Sequence, residues 1–150
     1  MSAIANIAVY DGAATPVLHT LVPVSVTREK GSVEAIWREQ LTGVPVDAQV
    51  SCKMSIEQMT SGVYKVVTRV EIPVMESISG QNSAGYTAAP KVAYRDTVVN
   101  TGLFHERSTA AGRRSVRQLG INILGNVGTS VAAATSGPAP DLFDQLVAPV

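Results

Sequence analysis

A stretch of about thirty residues alternates between apolar and polar side chains almost without interruption. From Val44 the even positions run Val44, Val46, Ala48, Val50, Cys52, Met54 and Ile56, and between them stand Pro45, Asp47, Gln49, Ser51, Lys53, Ser55 and Glu57. After the polar break Thr60-Ser61-Gly62 the even positions resume as Tyr64, Val66, Thr68, Val70 and Ile72, with Lys65, Arg69 and Glu71 among the odd ones. A period of two defines extended chain with one dry and one wet face. Two such strands around a Gly-containing break predict a long antiparallel hairpin. One sheet face must then be covered by something apolar. The other stays open and carries Lys53, Ser55, Lys65 and Arg69, which makes it the natural place for a binding surface.

Elsewhere the elements are shorter. Ile4–Tyr10 and Val17–Val26 predict an N-terminal hairpin turning at Asp11-Gly12, with Pro23 pushing its second strand toward an edge or a bulge. Arg28-Glu29-Lys30-Gly31 is a polar turn, and Val33–Gln40, with the only tryptophan, is read as a strand. Residues 76–90, ESISGQNSAGYTAAP, form a long loop rich in small residues, a length usually tied to function or mobility. Lys91–Phe104 is again extended.

The pattern then changes period. Val116, Leu119, Ile123 and Val127 fall on one helix stripe, with Ser108 or Thr109 as N-cap and Gly125 and Gly128 at the end. Arg114, Gln118 and Asn122 fall on another face. Asp141 is the expected N-cap of a short last helix holding Leu142, Phe143 and Leu146. Strands first and helices last give the α+β class, with helices on one sheet face. One helix and a stub are a small cover for five or more strands, and burying a Val or Ile side chain is worth roughly 1.5–3 kcal/mol. A second copy whose helices lie across this sheet is the simplest remedy, so an obligate, interlocked dimer is expected.

Composition fits a chain that meets other protein. Charged residues are 16% and hydrophobic ones 45% of 150 residues, where roughly a quarter charged is usual for a soluble domain. Composition alone leaves an ordinary compact domain equally open. Twelve basic and twelve acidic residues cancel, so nucleic-acid binding would need local segregation of charge. The single cysteine, Cys52, excludes an internal disulfide or a cysteine-based zinc site and reads as a buried, inert thiol. No run approaches the ~18 apolar residues of a membrane span. The start MSAIANIAVY lacks a positive leader region, so cytosolic synthesis without membrane association is expected.

Catalytic constellations are missing. His19 and His105 have no partners at metal-ligand spacing, and no nucleophile elbow or phosphate-cradling loop occurs. Asp141 and Asp144 resemble a helix N-terminal acid pair, and Arg113, Arg114 and Arg117 a solvated helix face more than a nucleic-acid patch. The chain is expected not to be an enzyme, and no metal or cofactor is expected.

Several segments, in order, resemble the coat protein of single-stranded RNA bacteriophages, the levivirus type. They are AVYDGAATPV, AIWRE, YKVVTRVEIP, VAYRDTVVNTGLF, and ERSTAAGRRSVRQLGINILGN followed by PAPDLFDQLV. Together they cover nearly the whole chain. The resemblance implies one coat-protein domain over 1–150, with an N-terminal hairpin (1–27), a five-stranded antiparallel main sheet (32–104, loop 76–90) and two C-terminal helices (108–147) that cross onto a partner subunit. It implies dimers that assemble into an icosahedral shell, the open sheet face turned inward. The 76–90 loop, with Gly80, Gly85 and Pro90, would adapt its shape around the symmetry axes.

The resemblance also implies that the inner face binds a hairpin in single-stranded genomic RNA, repressing replicase translation and marking the genome for packaging. Carried over by register, the contacts are Lys65, Val67, Arg69 and Glu71 on the central strand, Lys53 and Ser55 on its neighbour, Tyr94 as the base-stacking aromatic and Asp96 beside it. Val67 stands where a polar side chain is common, and the named charges nearly balance, so recognition would rest on stacking and hydrogen bonds. The alternative function is a non-viral homodimeric RNA-binding sheet protein, which would have no need of the long adaptable loop.

Overall fold

The alternation is realised as an antiparallel meander. A computed structural model describes residues 4–76, 83–85 and 91–149. Its six strands are β1 (Ile7–Tyr10), β2 (Leu18–Glu29), β3 (Ser32–Arg38), β4 (Ser51–Gln58), β5 (Val63–Met75) and β6 (Val92–His105), each paired only with its neighbours in the chain. Tight turns make this possible. Lys30-Gly31 joins β2 to β3, and the turn before β5 closes with Gly62 donating its N–H to Met59 O at 3.0 Å. Gly31 and Gly62 take φ of +84° and +77°, where a Cβ would be strained.

The expected hairpin and main sheet are one continuous sheet. β2 pairs with β1 through Leu18–Leu21 and with β3 from Val22 onward. The register slips between Pro23 and Ser25, the bulge that a proline lacking an N–H calls for.

The long hairpin is shorter at its start than the alternation predicts. β4 begins at Ser51, and Val46–Ala48 form a 3-10 turn. Pro45 cannot donate to a sheet ladder, and its carbonyl instead accepts from Ala48 N at 3.0 Å. Val46, placed on the dry row by pattern, is 61% exposed.

Helix α1 (Ala110–Leu124) opens with Thr109, whose Oγ1 accepts from Gly112 N at 3.1 Å. It stops at Gly125, so Val127 and Gly128 lie beyond it. Helix α2 (Pro138–Asp144) has Gly137, not Asp141, as N-cap; Pro138, with no N–H to leave unsatisfied, takes the first helical position. Asp141 sits inside the first turn, where a carboxylate suits the helix dipole.

The core lies between one sheet face, here called the underside, and α2. It holds Ala35, Trp37, Cys52, Met54, Ile56, Val66, Phe104, Leu142 and Phe143. Trp37 Nε1 donates to Ala5 O at 2.9 Å, fastening the N-terminal segment. Phe104 meets Phe143 edge to face with ring centroids 6.1 Å apart. Burial pushes the Cys52 thiol up to about 11, matching the inert thiol expected.

Candidate nucleic-acid interface and subunit interface

Strand pairing decides which side chains share the open face. Across β4 and β5, Ser51 stands opposite Glu71, Lys53 opposite Arg69, Ser55 opposite Val67, and Glu57 opposite Lys65. Cross-strand partners point to the same side, so Lys53, Ser55, Lys65, Val67, Arg69 and Glu71 form one patch, as the alternation implies. Lys53 Nζ lies 3.0 Å from Glu34 Oε1 on β3, and Arg69 pairs with Glu71. Both cations are nearly half exposed, so these are surface pairs of small energetic weight. Between them lies a hollow of about 160 Å³ lined by Ile36, Ser51, Cys52, Lys53, Arg69 and Glu71.

Tyr94 and Asp96 do not belong to this patch. Tyr94 pairs with Val74 and Asp96 with Ile72, and the ladder then runs unbroken to Val63 opposite His105. Val66 and Phe104, on the same parity, are buried in the core, so Tyr94 and Asp96 face the underside. The open face of β6 carries Arg95, Thr97, Val99, Thr101 and Leu103, opposite Pro73, Glu71, Arg69, Val67 and Lys65. Among the open-face residues that motif matching missed are Arg95, Thr97 and, on β3, Arg38 (opposite Ser51). Their parity relative to Phe104 and Trp37 is the signal that finds them. The corrected row sets Arg38, Lys53, Lys65, Arg69 and Arg95 against Glu29, Glu34, Glu57 and Glu71.

Of the loop residues singled out, Gly80 and Pro90 lie outside the described residues. Gly85 is exposed in a bend with φ of +79°. At the base of the loop, Glu76 N donates to Lys91 O at 2.8 Å.

The underside is only partly covered. α2 lies over the β5 region and buries Leu142 and Phe143, while α1 packs on α2. Toward β6 the same face lies open: Tyr94 is 57% and Val98 61% exposed. Helix α1 is uncovered too, with Val116, Leu119, Ile121, Ile123 and Leu124 all at least half exposed. A groove of about 640 Å³ runs along α1 past Val116, Leu119 and Asn122 toward Val131. The outer edge of β6, fourteen residues long, has no strand beside it among the described residues.

The helix arginines turn toward Asp144 and do not form a solvated face. Asp144, at the C-terminal end of α2 and 1% exposed, accepts from Arg114 Nε at 3.0 Å and from Arg117 Nε at 2.9 Å. Arg113 Nε donates to Asp144 O at 2.9 Å, and its guanidinium also reaches Ser108. Burial opposes ionisation of Asp144, but the hydrogen bonds from Arg117 and Arg114 overcome it and hold the carboxyl below its ordinary value. The acid pair expected at a helix start is thus split: Asp141 stays in the first turn and Asp144 clamps α2 to α1.

Among the described residues no group of His, Cys, Asp or Glu side chains could hold a metal ion, and no helix is long and apolar enough to cross a membrane. The described residues thus form an antiparallel sheet with one polar face, one largely apolar face partly covered by α2, and one free edge. A family model of the levivirus coat protein matches residues 2–140, and the chain belongs to that family. Among solved structures it is similar to the virus-like particle of bacteriophage EMS014, at 28% identity and a TM-score of 0.71 over 99% of each chain. The particle of bacteriophage ESE058 (20% identity, TM-score 0.68, 96% of each chain) shares the fold. So does the capsid protein of bacteriophage GA (15% identity, TM-score 0.56, 95% of each chain). Comparison with curated protein sequences finds no match.

Proposed function

We propose that this chain is a capsid subunit that forms interlocked dimers, assembles into a closed icosahedral shell around single-stranded RNA, and presents its open sheet face to that RNA without catalysing a reaction. The observation that carries the reading is the pairing of a long unpartnered edge, β6, with an uncovered apolar helix, α1. Long exposed edges are hazards that proteins cover or pair. A second copy placed edge to edge at β6 would continue the sheet, and its α1 would lie over Tyr94, Val98 and the rest of the open underside. Particles built by the similar chain of bacteriophage EMS014 support the step from dimer to shell.

For RNA, the reading uses the open-face patch of Lys53, Ser55, Lys65, Val67, Arg69 and Glu71, extended by Arg95 and Thr97. The hollow between Lys53 and Arg69 is a pocket for an unpaired base, with cations at its rim for phosphate. A hairpin bound there would be the repressor and packaging signal.

Electron microscopy of the purified protein, with sedimentation of the same samples, tests the capsid reading. Closed particles are expected for the natural chain. Val98→Lys, which puts a charge on the open underside of β6, is expected to yield folded monomers without particles. Small species alone from the natural chain under all assembly conditions would overturn the reading.

A further inference from the structure

One cluster of titratable groups belongs neither to the open face nor to the β6 edge. His19 lies on β2 opposite Val9, and its ring is held between carboxylates from two other parts of the chain. Nδ1 lies 2.7 Å from Glu39 Oε1, and Nε2 lies 3.4 Å from Asp11 Oδ2. Asp11 stands in the turn between β1 and β2, where its Oδ1 accepts from Val17 N at 2.9 Å and Ala13 N at 3.2 Å. Glu39 follows β3, is 5% exposed, and its backbone N–H donates to Val50 O at 3.0 Å. The ring therefore joins the tip of the N-terminal hairpin to the end of a central strand.

The geometry specifies a protonation state. A neutral imidazole has one N–H, so it could donate to only one of these acids and would turn a nitrogen lone pair toward the other. An imidazolium donates to both. The acids bracket the ring from opposite nitrogens and do not converge on one, which suits a proton and not a metal ion. The remaining element against the ring, β1, offers only Ile7, Ala8, Val9 and Tyr10, so Asp11 and Glu39 are the charged groups that face it.

We propose that His19 is an acid-dependent clasp: as an imidazolium it ties the β1–β2 turn to the end of β3, and its deprotonation releases the hairpin tip from the sheet. Burial works against the charged ring, but the bonds to Glu39 and Asp11 outweigh it and raise the ring above the ordinary histidine value of 6.5. Asp11, held low chiefly by its backbone bonds to Val17 and Ala13, stays ionised throughout. For a group raised on folding, the stabilisation is complete below the unfolded value and is lost as pH rises through the folded one. The clasp is thus closed below the ordinary histidine value and opens as pH rises beyond it.

Hydrogen–deuterium exchange of the full-length protein, corrected for the intrinsic pH dependence of exchange, tests this between about pH 6 and about pH 9. Protection over residues 11–21 is expected to fall several-fold with rising pH while β4 is unchanged, and His19→Gln is expected to abolish that dependence. A flat wild-type profile, or the same fall in His19→Gln, overturns the proposal. The ring resonances of His19 give a second reading that needs no variant at position 19, because His105 is the only other histidine and His105→Gln assigns them. A midpoint above 6.5 is expected, and one at or below it overturns the clasp.

Discussion

Val74 of β5 stands directly opposite Tyr94 of β6, which puts the tyrosine on the same side of the sheet as Val70 and the buried core. The ring is therefore turned away from Lys53, Lys65 and Arg69. Tyr94→Ala is expected to leave RNA-hairpin affinity within error and to weaken the dimer by about 2 kcal/mol, the value typical of a tyrosine at the centre of an interface. Hairpin titration and dimer dissociation on the same preparation check both halves. A selective loss of RNA binding with intact dimers would return Tyr94 to the RNA site and contradict the β5–β6 register.

Lys65 and Arg95 lie on the open face at opposite ends of the β5–β6 ladder. If each touches one phosphate, Lys65→Ala and Arg95→Ala each lower the log–log salt dependence of RNA binding by about 0.7. Affinity measured across a salt series gives the slope directly. An unaltered slope for either variant removes that side chain from the phosphate contacts.

Asp144 is almost fully buried with Arg114 and Arg117 against it. Asp144→Ala leaves Arg117, whose side chain is 9% exposed, without its counter-charge, and breaking one side of a buried pair costs about 3–5 kcal/mol. Denaturant unfolding at fixed protein concentration measures it. The carboxyl is held below its ordinary 3.8, so its stabilisation is complete above that value and is lost as pH falls through the lower folded value. Asp144→Ala is expected to remove this part of the acid-unfolding profile.

Gly102 leaves room for the contact between Phe104 and Phe143. A Cβ at this position would lie 2.5 Å from the Phe104 ring and 3.2 Å from that of Phe143. Gly102→Ala should therefore overpack the core under α2 and destabilise the protein by about 1–3 kcal/mol, read from the same unfolding curves. Wild-type stability in this variant would mean that the ring pair repacks without strain.

The sequence pattern carried the long hairpin because β4 and β5 keep a period of two, and Cys52, Met54, Ile56 and Val66 all fall on the dry side. It overshot at Val44–Val50 because apolar spacing alone does not register that Pro45 has no N–H for a ladder. The patch on β4 and β5 was legible for the same reason as the strands. Tyr94 and Asp96 were misplaced because a motif match leaves the face open, and an error of one residue inverts every side chain. The Asp144 clamp and the His19 bracket join residues 27 and 20 positions apart, and local pattern holds no trace of such pairs.

Because every strand in the meander pairs with the one before it, the sheet contains no crossover among the described residues. Such neighbour-to-neighbour wiring keeps strand pairing between segments adjacent in the chain, which lowers contact order and favours faster folding. It also sets an order on synthesis: β6, whose outer edge has no strand beside it among the described residues, leaves the ribosome after its pairing template β5 is already available. An edge made last is exposed only once the other five strands of the described sheet exist to pair among themselves.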